Sequence, residues 1–509
     1  MSGWRTDVVV VGAGPTGLAL AIGLRQYGVG VEVLEKEARG KREARAGIVW
    51  QRALEVLADL GCADALTAAG LSLREVEVFA QGQRVGAMPM RCRDTAFPHP
   101  LSIEQDAVER LLGDRLAAVG GGVRWSTEAV GLRLGSDGAE VDVRLPDGGT
   151  DTVRCGWVVG CEGSHSMVRK ELGIPFEGAR RPDLQCVQIN ARADWKQPYD
   201  PARSYFFLER GASLGVSPRP GGGYRFFCFR TDPDPSIRRP PGLREMRDLV
   251  AEATHEPGVR LWPTDPPWAN RARFQDRVAG TLRAGRALLA GDSAHLWAPI
   301  GGHGLNTGLR GAHNLAWKLA SVVQGRCPEG LLDTYTGEQR RTAHAVMREM
   351  RRNLLELPPT PASLRAVRAL GPRLMATPAF ARRISATLSD LAMGHAGSPL
   401  SQGGAGARLP DLPATVAGRR RSLHELLSYD RWTLLAAPGA PVDDERLAAV
   451  TGRYAIPVRT FRPRLDRGTE RRLPAAALLL VRPDRHIGLA AHDLPALETY
   501  IRRWFVRKA

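Results

Sequence analysis

Near the start of the chain, Asp7-Val8-Val9-Val10-Val11 offers β-branched residues with no polar alternation. Such a run predicts a strand buried on both faces, as in a parallel sheet. Gly12-Ala-Gly14-Pro-Thr-Gly17 interrupts it. Residues 18–27 are then apolar at helical spacing and stop at Gly28, and Val31-Glu-Val-Leu34 forms a second strand candidate ending at Glu35. Residues 6–35 therefore read as a βαβ unit. Further helices are expected over 50–70 and 102–118.

From 122 to 160 the pattern changes to short strands (122–125, 139–144, 155–159) separated by the turns Ser136-Asp-Gly and Pro146-Asp-Gly-Gly. Residues 178–280 are rich in strands and turns and read as a sheet domain, with Arg203-Ser-Tyr-Phe-Phe207 and Tyr224-Arg-Phe-Phe-Cys-Phe229 flanking a glycine-rich turn. Arg286-Ala-Leu-Leu-Ala290 returns to a buried strand, followed by a long helix through Val323. Residues 335–395 are mostly helical, with a break at Pro358-Pro359. Residues 396–407 are small and glycine-rich and read as a flexible linker. Beyond them, 408–509 form a separate α/β unit, with strand candidates at 432–436, 456–461 and 477–481 and a closing amphipathic helix.

Composition narrows the class. With 509 residues, 43% hydrophobic and 25% charged, the chain can bury a large core without disulfide staples. Its seven cysteines are scattered without C-x-x-C or zinc spacing, which predicts a reducing compartment and no metal site. The net charge of +17 comes from 71 basic residues, of which only six are lysine, spread along the chain with no stripe interleaved with aromatics. Nucleic-acid binding is therefore not expected, although such a field attracts anionic cofactors. The longest uncharged run, 8–24, holds the glycine motif and is not read as a membrane span. No secretory leader precedes the first strand, so the expected location is the cytoplasm.

Three segments carry chemistry. In the first, Gly12-x-Gly14-x-x-Gly17 lies between strand and helix, where its glycines let backbone approach a pyrophosphate and let helix and strand pack closely. Glu35, at the end of the second strand, can accept from ribose hydroxyls. The second segment is Gly291-Asp292-Ser293-Ala-His295 followed by Pro299-Ile-Gly301-Gly302-His303-Gly304-Leu305-Asn306. A buried strand delivers Asp292 to hold sugar-alcohol hydroxyls. The glycine turn opens a helix expected near Asn306, whose first N–H groups can stabilise a negative ring edge. The third, Glu162-Gly163-Ser-His165-Ser-Met-Val-Arg169, ends another strand and reads as a second anion-handling loop.

In this order and spacing, the three segments resemble the class A flavoprotein monooxygenases with the para-hydroxybenzoate hydroxylase fold. The tail and the Asn314-Leu-Ala-Trp-Lys-Leu-Ala320 run resemble the branch of aromatic polyketide hydroxylases. The resemblance implies an α/β protein with a Rossmann-like FAD-binding domain in two parts (1–177 and 281–395), an interleaved β-sheet substrate domain (178–280) and a thioredoxin-like C-terminal domain (408–509). It assigns Gly12, Gly14, Pro15, Thr16, Gly17, Glu35 and Lys36 to the ADP half of FAD. Arg45 and Gln105 are assigned to the flavin and ribityl region, and Asp292 to the ribityl chain. Pro299, Gly304, Leu305 and Asn306 go to the isoalloxazine, and Glu162, Gly163, His165 and Arg169 to a loop shared with the nicotinamide cofactor. Arg45, Pro299 and His303 are the implied catalytic positions. Glu162 stands where Asp is usual in that family, His303 where Gln is usual, and Gly311 where Asp is usual.

The implied reaction uses NADPH or NADH to reduce FAD. O2 adds to the reduced ring to give a C4a-hydroperoxide, which hydroxylates a polycyclic aromatic polyketide in antibiotic-type metabolism. The protein orients the cofactor and keeps the pocket dry. Phe206, Tyr224 and Phe226 are candidate pocket walls. Baeyer–Villiger oxygen insertion, or a flavin-dependent reductase or non-oxygenating flavoprotein partner, are the alternatives. The segment required by flavin halogenases and the cysteine pair of disulfide reductases are absent, and the tail has no cysteine at all. A soluble monomer or homodimer without membrane contacts is expected.

Overall fold

The computed structural model describes residues 5–38, 47–231, 234, 236–353 and 358–508. The valine run forms the strand Arg5–Val11 at the centre of the first sheet, and Val8, Val9 and Val10 are wholly buried. This strand lies parallel to Thr150–Gly160 on one side and Val31–Leu34 on the other. Thr150–Gly160 in turn lies parallel to Ala287–Leu289. Helix Pro15–Gln26 packs on helix His303–Val323, where Gly23 makes room: a Cβ there would lie 2.8 Å from that of Ala316.

A second, nine-stranded sheet stands beside the first. Its long strands Phe176–Asp194 and Ala269–Ala279 carry the chain out and back, and Arg203–Glu209, Ala212–Pro218 and Tyr224–Thr231 form its antiparallel middle. The hairpin Glu75–Ala80/Gln83–Pro89 also belongs here, pairing in parallel with Arg203–Glu209. The chain thus visits this sheet well before residue 178. Helix Leu243–Thr254 covers the outer face with Met246, Val250 and Ala253.

The tail builds a four-stranded sheet in the order Val458–Phe461, Trp432–Ala436, Leu478–Val481, Ile487–Ala491. The first two strands are parallel and the others antiparallel, with helices Asp444–Thr451 and Leu494–Trp504 following the second and the last strand in that order of space. This is a thioredoxin-like arrangement.

Residues 396–407 do not form the expected free linker. Gln402 N–H donates to Gly488 O and Gly406 N–H to Ile487 O, and Leu400 is wholly buried. Small residues serve close packing here, since a Cβ on Gly403 would sit 1.9 Å from Ala490 O. No helix among the described residues is long and apolar enough to cross a membrane.

Candidate active site

Parallel register brings the strand ends level. Val11 is opposite both Gly160 and Leu34, and Gly160 is opposite Leu289. The residues that follow these ends, from three distant parts of the chain, therefore share one rim, the usual ligand crevice of a parallel sheet. A cavity of about 630 Å³ starts at this rim and runs to the inner face of the second sheet.

At the rim, Gly12 has φ +102°, and a Cβ there would lie 2.6 Å from Cys161 O. A Cβ on Gly17 would meet Gly12 O at 2.0 Å, so this third glycine sets helix against strand and does not line the cavity. Gly14 has open space where a Cβ would be, at the start of helix Pro15–Gln26, and leaves a cradle for an anion at the helix N-terminus. Glu35 closes this loop: its Oε2 accepts from Ala13 N–H at 2.8 Å and its Oε1 from Glu37 N–H at 3.1 Å.

The neighbouring loop is stitched by Ser293. Gly163 N–H donates to Ser293 Oγ at 3.0 Å, and Val168 N–H donates to Glu162 Oε1 at 2.8 Å. Burial raises the Glu162 carboxyl above its usual range. Arg169 does not reach the cavity. Its guanidinium donates to Ser293 O (3.0 Å) and Ser164 O (2.8 Å) and lies over the Phe176 ring, so it braces the loop from behind.

Gly301 (φ +76°) and Gly302 (φ +66°) turn the chain into helix His303–Val323, which begins three residues earlier than expected. The free N–H groups of a helix start belong to its first positions, here Gly304 and Leu305, which line the cavity with Pro299. Asn306 falls one position too deep and is fully buried. Its side chain clamps the turn instead, accepting from Trp50 N–H at 2.8 Å and donating to Gly302 O at 2.7 Å. Trp50 Nε1–H donates to Gly301 O at 2.8 Å. His303 also departs from expectation. It packs behind Gly301 on Trp50 and faces Asp390 at 3.1 Å, away from the cavity.

Strand alternation sorts the second sheet into two faces. Tyr224 and Phe226, expected in the pocket, point to the opposite face and pack with Met246 and Val250 of the covering helix. Phe206 does line the cavity, with Phe227, Phe229 and Phe274. Cross-strand register arranges this inner face in rungs. Ser204, Ser217 and Arg225 form a polar rung, with Asn190 accepting from Arg225 Nε at 3.0 Å. Phe206, Phe227, Gln188 and Asn270 form the next, and Phe229, Cys186 and Ala272 an apolar one. Gly215 lets Phe227 lie flat across the middle rung, since a Cβ there would be 2.1 Å from its ring.

Gly12, Gly14, Pro15, Thr16, Glu35, Lys36, Gln105, Glu162, Gly163, His165 and Asp292 all line the cavity. Arg45 lies outside the described residues. Sequence reasoning missed Trp50, Ser293, the part of the aromatic floor beyond Phe206 (Phe227, Phe229 and Phe274) and the charged group of Glu104, Arg219 and Arg225. Only Ser293, inside a motif already singled out, carried a local signal. His295 also lines the cavity, stacked on Trp297, and burial lowers it to about 4, so it is neutral at pH 7.

Comparison with known proteins gives the same picture over nearly the whole chain. Residues 5–350 match the family described as FAD binding domain, and residues 402–507 match that described as aromatic-ring hydroxylase, C-terminal. The chain is 34% identical to the rifampicin monooxygenase of Streptomyces venezuelae over 505 residues, covering 98% of each protein. It is 33% identical to the dialkyldecalin synthase of Streptomyces rugosporus, again over 98% of each. Among solved structures, the anhydrotetracycline hydroxylase OxyS of Streptomyces rimosus superposes with a TM-score of 0.78 at 31% identity, covering 98% of this chain and 99% of that one.

Proposed function

This chain belongs to the family of FAD-binding aromatic-ring hydroxylases, and we propose that it uses a nicotinamide cofactor and O2 to hydroxylate a polycyclic aromatic polyketide. The observation that carries this reading is the continuity of the cavity, in which a dinucleotide groove opens beside the Gly301-Gly302 turn into a chamber floored by phenylalanines. The groove fits FAD. Gly14 leaves an open cradle at a helix start, Glu35 and Asp292 place carboxylates at two strand ends, and Gly304 and Leu305 present the start of a second helix.

FAD, when bound, supplies a ring that accepts hydride and passes one oxygen atom of O2 to the substrate. The protein's share is positioning and exclusion of water. The Trp50 and Asn306 clamp fixes the turn ahead of Gly304 and Leu305, whose N–H groups would hold the negative edge of a bound flavin ring without reorganising. Phe206 and Phe227, edge-to-face with centroids 5.8 Å apart, offer the apolar surface against which a fused aromatic packs. Met88, Met90 and Leu388 line the same chamber and extend its apolar surface, which disfavours water. His295, which burial holds neutral, lines this cavity as a hydrogen-bonding group, since lowering it to about 4 makes it a poor base toward a phenol.

NADPH or NADH as reductant, a cytoplasmic location and a monomeric or homodimeric state complete the reading. The test gives purified holoenzyme NADPH or NADH, ¹⁸O2 and a panel of tricyclic and tetracyclic phenols. A product carrying one labelled atom as a new hydroxyl is expected. Hydrogen peroxide alone, or a rearranged product without label, would overturn it. A lactone carrying the label would show ring insertion in place of hydroxylation.

A further inference from the structure

Behind the glycine turn lies a charged group that holding the turn does not require. His303 opens helix His303–Val323, and its ring lies directly against Gly301: a Cβ on Gly301 would be 2.6 Å from His303 Nε2. The other ring nitrogen, Nδ1, faces Asp390 Oδ1 at 3.1 Å. Arg310, two turns along the same helix, reaches Asp390 Oδ2 at 3.3 Å. Trp50 and Asn306 already fix the turn by hydrogen bonds. What this second group adds is charge.

Asp390 is a costly place for a carboxylate. It is wholly buried, just beyond helix Pro378–Leu388, whose last residue lines the cavity. It holds φ +60°, the left-handed region that few residues other than glycine, asparagine and aspartate adopt. Arg52 N–H pins the residue before it, donating to Ser389 O at 3.1 Å. Burial alone would raise the carboxyl, but Arg310 and His303 hold it below its usual range, so it is ionised at neutral pH. The Arg52 guanidinium is committed to Glu55 at 3.0 Å. A residue kept in such a conformation needs surroundings that over-determine it, and such positions cluster at functional sites.

The site in front of this group is the start of a 21-residue helix, whose dipole and first N–H groups favour negative charge on a ring edge. Arg310 adds to that field. Its charge reaches the cavity, where, after burial, it helps to lower His295. Asp390 opposes both. We propose that Asp390, set behind the turn by His303, is a fixed counter-charge that lowers the reduction potential of the bound flavin, with Arg310 acting in the opposite sense. The proposal rests on the flavin seat and goes beyond the choice of substrate. A ring whose reduced form is held less tightly passes its electrons to O2 more readily.

The two charges should move the potential in opposite directions, which simple damage to the turn would not do. The two-electron potential of the FAD-loaded enzyme is measured at pH 8 by anaerobic titration against reference dyes. The proteins compared are the wild type, Asp390→Asn, Arg310→Gln and the double variant, which strands neither charge. Asparagine is close in shape to aspartate and tolerates the left-handed backbone. Asp390→Asn is expected to favour reduced over oxidised FAD by about tenfold, a rise of about 30 mV for two electrons. Arg310→Gln is expected to give a fall of similar size, and the double variant to lie within about threefold of the wild type. Flavin content and melting temperature report the fold of each protein. No rise in Asp390→Asn, no fall in Arg310→Gln, or shifts of the same sign in both overturns the proposal. Opposite shifts in an enzyme that oxygenates no phenol sustain it and count against the hydroxylase reading. Labelled product from an enzyme whose potential ignores both charges does the reverse.

Discussion

Single residues at the rim make separable contributions. Asp292 ends a buried strand and turns an exposed carboxylate to the groove. Asp292→Ala is expected to give folded protein whose FAD affinity falls by about 10–100-fold, the scale of one or two charge-assisted hydrogen bonds. Flavin absorbance after gel filtration checks it, and full yellow colour in the variant would remove Asp292 from the site. His295 makes a pH prediction. Burial lowers it from 6.5 to about 4, so between those values the unfolded chain holds a proton that the native protein lacks. The stability it contributes is complete above pH 6.5 and is lost as pH falls toward 4, by at most roughly 3 kcal/mol. His424 is lowered to about 4 for the same reason and adds to the acid sensitivity. Melting temperature should therefore fall from pH 7 to pH 5, and His295→Asn should flatten part of that slope.

Elements show where sequence suffices and where it does not. The valine run, the glycine loop and the helix after it were legible because each is written in consecutive residues with one period. The side of the second sheet that faces the cavity was not. Tyr224-Arg-Phe-Phe-Cys-Phe229 is aromatic on both faces, because a helix covers one and a ligand chamber the other. Tyr224 and Phe226 thus read as well as Phe227 and Phe229, and only register with neighbouring strands separates them. The chamber's shape gives a test at Gly215. Gly215→Ala places a methyl against the Phe227 ring and forces it toward the cavity. Binding of 1,8-dihydroxyanthraquinone should weaken on the order of tenfold, an overpacking cost of about 1–3 kcal/mol, while flavin content is unchanged. Loss of flavin in this variant would place the ring pocket elsewhere.

At the scale of the whole molecule, the tail is part of the same body as the flavin domain. Helix Gln51–Asp59, which starts just after the Trp50 clamp, carries Glu55 and Asp59 into a buried charged seam. Arg408 meets Glu55 at 3.1 Å and Arg485 meets Asp59 at 2.5 Å, and both arginines come from the tail unit. Burial alone would raise Glu55, but Arg408 and Arg52 hold it at about 2. Deeper in, Asp484 receives Arg482, Asn314 and Trp317, so its proximity to His395 and His486 reflects hydrogen bonding rather than an open ligand set. The small residues of 396–407 signal flexibility by composition, yet close backbone packing also requires them, and composition does not distinguish the two. Arg485→Leu should cost about 3 kcal/mol by leaving the buried carboxylate of Asp59 with His313 as its remaining partner. Adding Asp59→Leu should restore part of that loss in chemical denaturation, and no recovery would mean the pair is not coupled. The level strand ends also bear on synthesis. The groove's third side, Ala287–Leu289 with Asp292 beyond it, is translated only after more than half the chain has been synthesised. A nascent polypeptide therefore carries the glycine loop for most of its elongation with only part of the cofactor's seat. The complete seat therefore forms only once that late strand has docked beside Thr150–Gly160.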